Sequence, residues 1–143
     1  MTDQPSRPTA TASIHVAVPF ISGVSQNELL EGELVFDPAD PYAVTMHLEA
    51  RSGAVVWTFA RELLADGIYQ PSGNGDVQIW PCLSSSGEAV IIIELCSPDG
   101  TAVLQAPSRA VHGFVARTHD VVPQGEESVH LRLDDMIAQL LAD

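Results

Sequence analysis

The first half of the chain alternates between apolar and polar residues. In residues 30–36 the apolar positions are separated mostly by acidic ones, which is the period of a strand with one buried face. Residues 44–50 and 54–59 flank a Ser-Gly pair and predict a β-hairpin. The prolines and aspartates of residues 37–41 predict the turn before this hairpin. Residues 14–23 are also β-prone but contain a proline, which predicts an edge strand or a bulged strand with incomplete pairing.

The second half of the chain predicts further strands joined by turns. Residues 68–76 contain a proline and two glycines and are predicted as a loop, and a strand follows over residues 77–83. A Ser-Ser-Ser-Gly turn leads into a strand over residues 88–97. A Pro-Asp-Gly turn then joins this strand to residues 101–105 in another hairpin.

Two helices are predicted between and after these strands. Residues 60–66 consist mostly of helix formers and stop at Gly67, which predicts a helix of about two turns. Pro107 suits a first helical turn, and apolar residues follow it with helical spacing. This pattern predicts a helix over about 107–118.

The C-terminal segment predicts an arm followed by a final helix. Residues 129–133 alternate between apolar and polar and predict a short strand or an extended arm. Asp134 or Asp135 would then cap the final helix. The apolar face of this helix must dock on something, and it carries Met136, Ile137, Leu140 and Leu141.

Two features of the strands point to contacts beyond one chain. Residues 90–93 are apolar on both faces of their strand. We expect either a central position between two layers or a face covered by another subunit, and we favour the subunit. The usual place for a strand tryptophan is the core, but Trp80 is followed by Pro81. Proline predicts a sheet edge there, where an aromatic side chain can anchor a partner.

The length of the chain and its order of elements predict one domain. A chain of 143 residues buries about 70% of its extended surface around a single core. We predict an α+β fold over residues 14–143, with an antiparallel, β-rich sheet of about seven strands and two or three helices. Residues 1–13 are predicted to be a flexible tail.

Charge and cysteine content narrow the class of partner. The chain has six arginines and 19 acidic residues, which gives a net charge of −13. Proteins bind nucleic acid through clustered positive charges, so nucleic acid is not expected as a partner. The absence of an apolar stretch of about 18 residues predicts a soluble chain without direct membrane insertion. Cys82 and Cys96 are predicted to be free thiols, which fits a reducing cytoplasm.

No group of residues predicts catalysis, a cofactor or a metal. The glycine-rich residues 73–76 lack the third glycine of a dinucleotide loop and precede a strand, so a tight turn is predicted. The five histidines have no metal-ligand spacing. Ser108, His112 and Asp120 have the composition of a triad but not its surrounding motif. Asp37 and Asp40 are explained by a turn, and Asp134 and Asp135 by a helix cap, so neither pair predicts a metal site.

A family resemblance is carried by segments spread over roughly residues 14–143, in a shared order and spacing. These segments are Asp37–Val44, Trp57–Gly67, Gly73–Pro81, Ser97–Gly100, Ala106-Pro107, Arg117-Thr118 and Val122-Pro123. They resemble the SsgA-like sporulation and cell-division proteins of actinobacteria.

This resemblance implies a small non-enzymatic protein with a fold similar to the trimeric whirly nucleic-acid-binding proteins. It also implies a role in marking future septum sites during sporulation. The implied partners are FtsZ, the tubulin-like polymerising GTPase, and an SsgA-like paralogue, and the implied assembly is a homotrimer.

Together, the residues and the resemblance predict a homo-oligomeric recruitment factor in the cytoplasm, at the division septum. The residues predicted on its partner or oligomer surface are Trp80, Pro81, Ile91, Ile93, Met136, Ile137 and Leu140. Two alternatives stay open. One is a whirly-like single-stranded nucleic-acid binder, which needs arginines gathered beside exposed aromatics, and the other is a hydrolase built on Ser108 and His112.

Overall fold

The structure is a computed structural model that describes residues 12–23, 28–50 and 53–142. These residues form eight strands and three helices, in the order β1 (Ile14–Ser22), β2 (Glu28–Phe36), β3 (Ala43–Ala50), β4 (Gly53–Ala60), α1 (Arg61–Gly67), β5 (Ser72–Asn74), β6 (Val77–Leu83), β7 (Ala89–Ser97), β8 (Gly100–Pro107), α2 (Ser108–Val121) and α3 (Glu127–Ala142). All eight strands belong to one antiparallel sheet, in the order β4-β3-β2-β1-β8-β7-β6-β5. The predicted α+β class is confirmed, and the predicted N-terminal tail lies outside the described residues except for its last two.

Strand β1 joins the two halves of the sheet. It pairs with β2 along its whole length but with β8 only through Ile21–Gln105 and Ser22–Leu104. The predicted edge position is therefore wrong, whereas the predicted incomplete pairing is confirmed. Pairing with β8 occurs only after Pro19, which has no backbone N–H to donate, and α2 packs against both strands.

The core lies between the inner faces of the two half-sheets and the helices α1 and α2. Ile91 and Ile93 of β7 are fully buried in it. Their predicted place on a partner or oligomer surface is wrong, because α2 of the same chain packs against β7. Val90 and Ile92 lie on the other face of β7, where Ile92 is half-buried.

Most local predictions hold. The hairpin of β3 and β4 is confirmed, as are the β7–β8 hairpin and the two free thiols. The helix predicted from Pro107 is α2, which has Pro107 as its N-cap and buries Val111, Phe114 and Val115. The segment predicted as a loop over 68–76 contains the short strand β5 and the predicted tight turn. Three residues paired through their backbone leave no periodic pattern, so the sequence did not reveal β5.

The C-terminal arm is part of a helix. Helix α3 runs without interruption from Glu127, so the predicted strand or arm over 129–133 and the predicted caps at Asp134 and Asp135 are wrong. A stretch of five residues fits both periods, since Val129 and Leu133 also lie four apart on one helix face.

Gly67 and Gly113 are both helical glycines, but their surroundings differ. A Cβ atom on Gly67 would clash with Cγ2 of Ile79 on β6, whereas a Cβ atom on Gly113 would meet nothing within 4 Å. Gly67 therefore allows α1 to approach the sheet closely. Gly67 is also the last residue of α1, so the C-terminal stop that the sequence predicted is confirmed.

We expect Gly67→Ala to lower the free energy of unfolding by about 1–3 kcal/mol, because the new methyl group overpacks the contact with Ile79. Gly113→Ala is the matched control, and it should raise stability by up to about 1 kcal/mol through helix propensity. Urea unfolding followed by circular dichroism measures both. Equal effects of the two substitutions would contradict the close contact.

Candidate functional site

Helix α3 presents an apolar stripe that the rest of the described chain leaves uncovered. No residue of α3 is buried. Met136, Ile137 and Leu140, which the sequence predicted as surface, are exposed by 54%, 42% and 71%. An apolar stripe on one helix face is unfavourable in water unless another surface covers it. Its length and composition do not make α3, or any other described helix, a candidate membrane span.

A buried arginine fixes the point from which α3 starts. Arg61 is the first residue of α1 and is 1% exposed. Its Nη1 donates hydrogen bonds to the carbonyl oxygens of Thr118 (3.2 Å) and Val122 (2.7 Å), at the end of α2. Its Nη2 donates to Oε2 of Glu127, the first residue of α3, at 2.7 Å. One guanidinium thus joins the start of α1, the end of α2 and the start of α3.

The surroundings of Arg61 explain why its charge is tolerated inside the protein. The last carbonyls of a helix have no partner within the helix and carry partial negative charge. The guanidinium donates to the carbonyl of Val122 and is a second donor to that of Thr118, which also accepts the backbone N–H of Val122. It also lies 5.0 Å above the ring of Phe36 on β2, a favourable cation–π distance. The carboxylate of Glu127 forms an ion pair with Arg61 and neutralises its positive charge.

The pKa of Glu127 reflects this pairing. Burial alone would raise the pKa, but the hydrogen bond from Arg61, its positive charge and backbone hydrogen bonds at Gly125 and Glu127 outweigh burial. The pKa of Glu127 is therefore held below its ordinary value, and the ion pair persists at neutral pH.

His119 lies beside the same ion pair. It lines a cavity of about 250 Å³ together with Tyr42, Arg61 and Glu127, and its Nε2 atom is buried without a hydrogen-bond partner. Burial, followed by the charge of Arg61, lowers the pKa of His119 against the opposing effects of Glu127 and Asp120. The imidazole is therefore neutral at pH 7.

The seven predicted surface residues divide between three places. Ile91 and Ile93 lie in the core, and the three residues of the final helix lie on the stripe of α3. Trp80 is half-buried and Pro81 is exposed. Both stand in the part of β6 that β5 does not pair with, so the predicted sheet edge is confirmed at this position.

The candidate residues for catalysis do not come together as a triad. Ser108 and His112 line one depression on the surface of α2, but Asp120 is not part of its lining. The ring of His112 packs edge-to-face on Tyr69, with the ring centres 5.3 Å apart. Over residues 12–23, 28–50 and 53–142, no three His, Cys, Asp or Glu side chains are grouped so that they could hold a metal ion.

Sequence reasoning missed Arg61 as a functional residue. Its burial removes it from the arginines that a nucleic-acid-binding surface could use. The only local indication that Arg61 is buried is its position between an uncharged strand and Leu63-Leu64. Its partners lie 57 to 66 residues further along the chain, where no periodic pattern connects them to it.

Comparison with known proteins decides the family. The family model for the Streptomyces sporulation and cell division protein SsgA matches residues 30–127. The chain belongs to this SsgA family. It is 47% identical to the sporulation-specific cell division protein SsgB of Streptomyces coelicolor over 112 residues, which cover 77% of this chain and 80% of that protein. It is 40% identical to SsgB of Salinispora tropica over 139 residues, or 95% of this chain and 96% of that protein.

Solved structures of the SsgA family share this fold. The SsgA-like sporulation-specific cell division protein from Thermobifida fusca superimposes with a TM-score of 0.81 at 34% identity, over 93% of this chain and 98% of that chain. A structure connected with SsgB mutations and longitudinal cell division during sporulation of Streptomyces coelicolor gives a TM-score of 0.78 at 38% identity, over 90% of this chain and 99% of that chain. SsgA-family membership and these names support a role in sporulation-specific cell division.

We expect Arg61→Met to lower the free energy of unfolding by about 3–5 kcal/mol, because it leaves the part-buried carboxylate of Glu127 and the carbonyl of Val122 without the donor that Arg61 supplies. Glu127→Gln should cost less, about 1–3 kcal/mol, since Arg61 keeps both carbonyls. Urea unfolding measures the two changes. Arg109→Met, on the exposed side of α2, is the matched control and should change stability by less than about 0.5 kcal/mol. An Arg61→Met protein as stable as this control would show that the contacts of Arg61 are dispensable.

We also expect stability to fall in two steps as the pH is lowered. The pKa of His119 is lower in the folded chain than its ordinary value of 6.5. The unfolded chain therefore takes up the proton first, and stability declines as the pH drops below about 6.5. The pKa of Glu127 is also lowered, from 4.5, so its stabilisation is complete above that pH and is lost as the pH falls through the folded value.

Urea midpoints measured across this pH range test both steps. His119→Asn should remove the first decline, and Glu127→Gln should flatten the second. If His119→Asn leaves the slope below pH 6.5 unchanged, His119 does not contribute to it.

Proposed function

We propose that the protein is a non-enzymatic interaction factor in sporulation-specific cell division, which helps to recruit or position FtsZ at septum sites. The observation that carries the proposal is the uncovered apolar stripe of α3 in a chain of the SsgA family. Its place of action is the cytoplasm, at the division septum.

The shape of α3 supports recognition of a protein groove. Partners that bind an amphipathic helix read apolar side chains at positions i, i+3 or i+4, and i+7. Leu133, Met136, Ile137 and Leu140 have this spacing, and all four are exposed. The ion pair between Arg61 and Glu127 fixes the first residue of α3. The apolar stripe lies further along the helix, where it is accessible to a partner.

Homo-oligomerisation belongs to the same proposal. We take the assembly to be a homotrimer and a second partner to be an SsgA-like paralogue, as the family resemblance implies. The stripe of α3 supports both, since it is covered only if another polypeptide packs on it. The net charge of −13 favours protein partners over nucleic acid.

Co-sedimentation with polymerised actinobacterial FtsZ tests recruitment. The unchanged protein should be enriched in the pellet, and Leu140→Glu, which puts a charge on the stripe, should reduce that enrichment about tenfold. Ala138→Glu adds the same charge on the opposite face of α3 and should pellet like the unchanged protein. Enrichment no greater than that of an unrelated acidic protein would refute recruitment. Normal pelleting of Leu140→Glu would exclude α3 as the surface.

Analytical ultracentrifugation of the same variants separates assembly from recruitment. The unchanged protein and Ala138→Glu should sediment as trimers. A Leu140→Glu protein that stays trimeric but no longer pellets assigns the stripe to FtsZ. A monomeric Leu140→Glu protein assigns it to the oligomer. A strictly monomeric unchanged protein at micromolar concentration contradicts the proposed trimer.

A further inference from the structure

The outer strand β4 is a long sheet edge without the usual protection. It ends the sheet, and among the described residues it pairs only with β3. Its eight residues, Gly-Ala-Val-Val-Trp-Thr-Phe-Ala, include no charge and no proline. Proteins normally shorten such edges or place lysine or proline in them, because unpaired backbone groups are a template for another strand.

The opposite edge of the same sheet does carry this protection. It is formed by β5, which has three residues, and by the unpaired end of β6, which contains Pro81. Along β4, by contrast, no backbone hydrogen bond outside the β3 ladder reaches residues 53–60 within the described part of the chain. The difference between the two edges indicates that β4 is open to pairing.

An apolar cleft adjoins β4 on the inner face of the sheet. It has a volume of about 400 Å³ and lies between the two half-sheets. Val55 and Trp57 of β4 line one side of it, and the other strands contribute apolar side chains that include Leu30, Leu48, Leu95 and Leu104. In a strand added to β4, every second side chain would point to this face. At this edge an added strand could pair with the backbone of β4 and place its side chains in the cleft. Other strand-addition sites combine the same two features.

The charges around β4 indicate which occupant fits. Glu62 follows the end of β4, and Asp99 lines the cleft. Glu49 lies nearby on β3, opposite Ala54 and on the other face of the ladder from the cleft residues of β4. In a pair of β4 strands from two copies, these carboxylates would be doubled at one interface between chains of net charge −13. A peptide with basic residues at its ends meets the same carboxylates favourably.

We propose that β4 is a docking edge for an extended peptide of another protein, with apolar residues at alternate positions and basic residues at its ends. The peptide adds to the sheet as a strand beside β4 and places its inward side chains in the cleft beside Val55 and Trp57. This site goes beyond the proposed division role and depends neither on FtsZ nor on α3.

A synthetic peptide of the length of β4, alternating valine and threonine between lysine ends, is the probe. Hydrogen–deuterium exchange with mass spectrometry should show slower exchange of residues 53–60 when the peptide is added, and unchanged exchange of residues 77–83. The same peptide with N-methyl groups on alternate residues should bind about tenfold more weakly, because it cannot complete the ladder. A peptide of the same sequence with glutamate in place of the end lysines should also bind more weakly, because its charges are repelled by the carboxylates near β4.

Two protein variants locate the site. Val56 is 56% exposed on β4 and Leu83 is 68% exposed on β6, so both can be replaced by lysine without opening the core. Val56→Lys should weaken peptide binding about tenfold, as a charge on the pairing edge does, and Leu83→Lys should leave it within about twofold. Val56→Thr keeps the edge uncharged and should bind normally, which excludes misfolding at this position as the cause.

Three results would overturn the proposal. The first is unchanged exchange over residues 53–60 with the lysine-ended peptide, and the second is equal binding of the N-methylated peptide. The third is protection of residues 53–60 that grows with protein concentration alone, which would identify a second copy as the occupant. The peptide test uses no FtsZ. Its result therefore does not depend on whether the protein recruits FtsZ.

Discussion

The buried guanidinium of Arg61 is the interaction on which the arrangement of the helices depends. A charge in the interior is unfavourable unless it is paired and hydrogen-bonded. Here two helix-end carbonyls, one carboxylate and one aromatic face surround it. Each of these groups also benefits from the contact, since the end of α2 gains donors and Glu127 stays ionised. The end of α2 and the start of α3 are held together at this point.

This anchor has a consequence for the surface of the molecule. It fixes Glu127 but none of the apolar residues further along α3, so the stripe is exposed while the core beneath α2 is closed. The protein therefore buries its own apolar strand faces well and leaves one helix face open. Such a division is typical of a chain that functions through contacts with other proteins.

The sheet contributes a second kind of open surface. Its two edges are built differently, one short and interrupted by proline, the other long and uncharged. A helix stripe requires a groove, whereas a strand edge requires another strand. The two proposed docking surfaces therefore suit different kinds of partner. The acidity of the chain disfavours anionic partners at both.

The features that depend on neighbours along the chain could be predicted from the sequence. The period of two in β2 and β3, the turn residues between β7 and β8, and the buried face of α2 all follow from local patterns. The features that depend on distant contacts appear only in the folded chain. The tertiary structure placed β1 inside the sheet, Ile91 and Ile93 under α2, and Arg61 against residues at least 57 positions away. No local pattern encodes which distant groups will satisfy a buried charge, because that pairing exists only once the chain has folded.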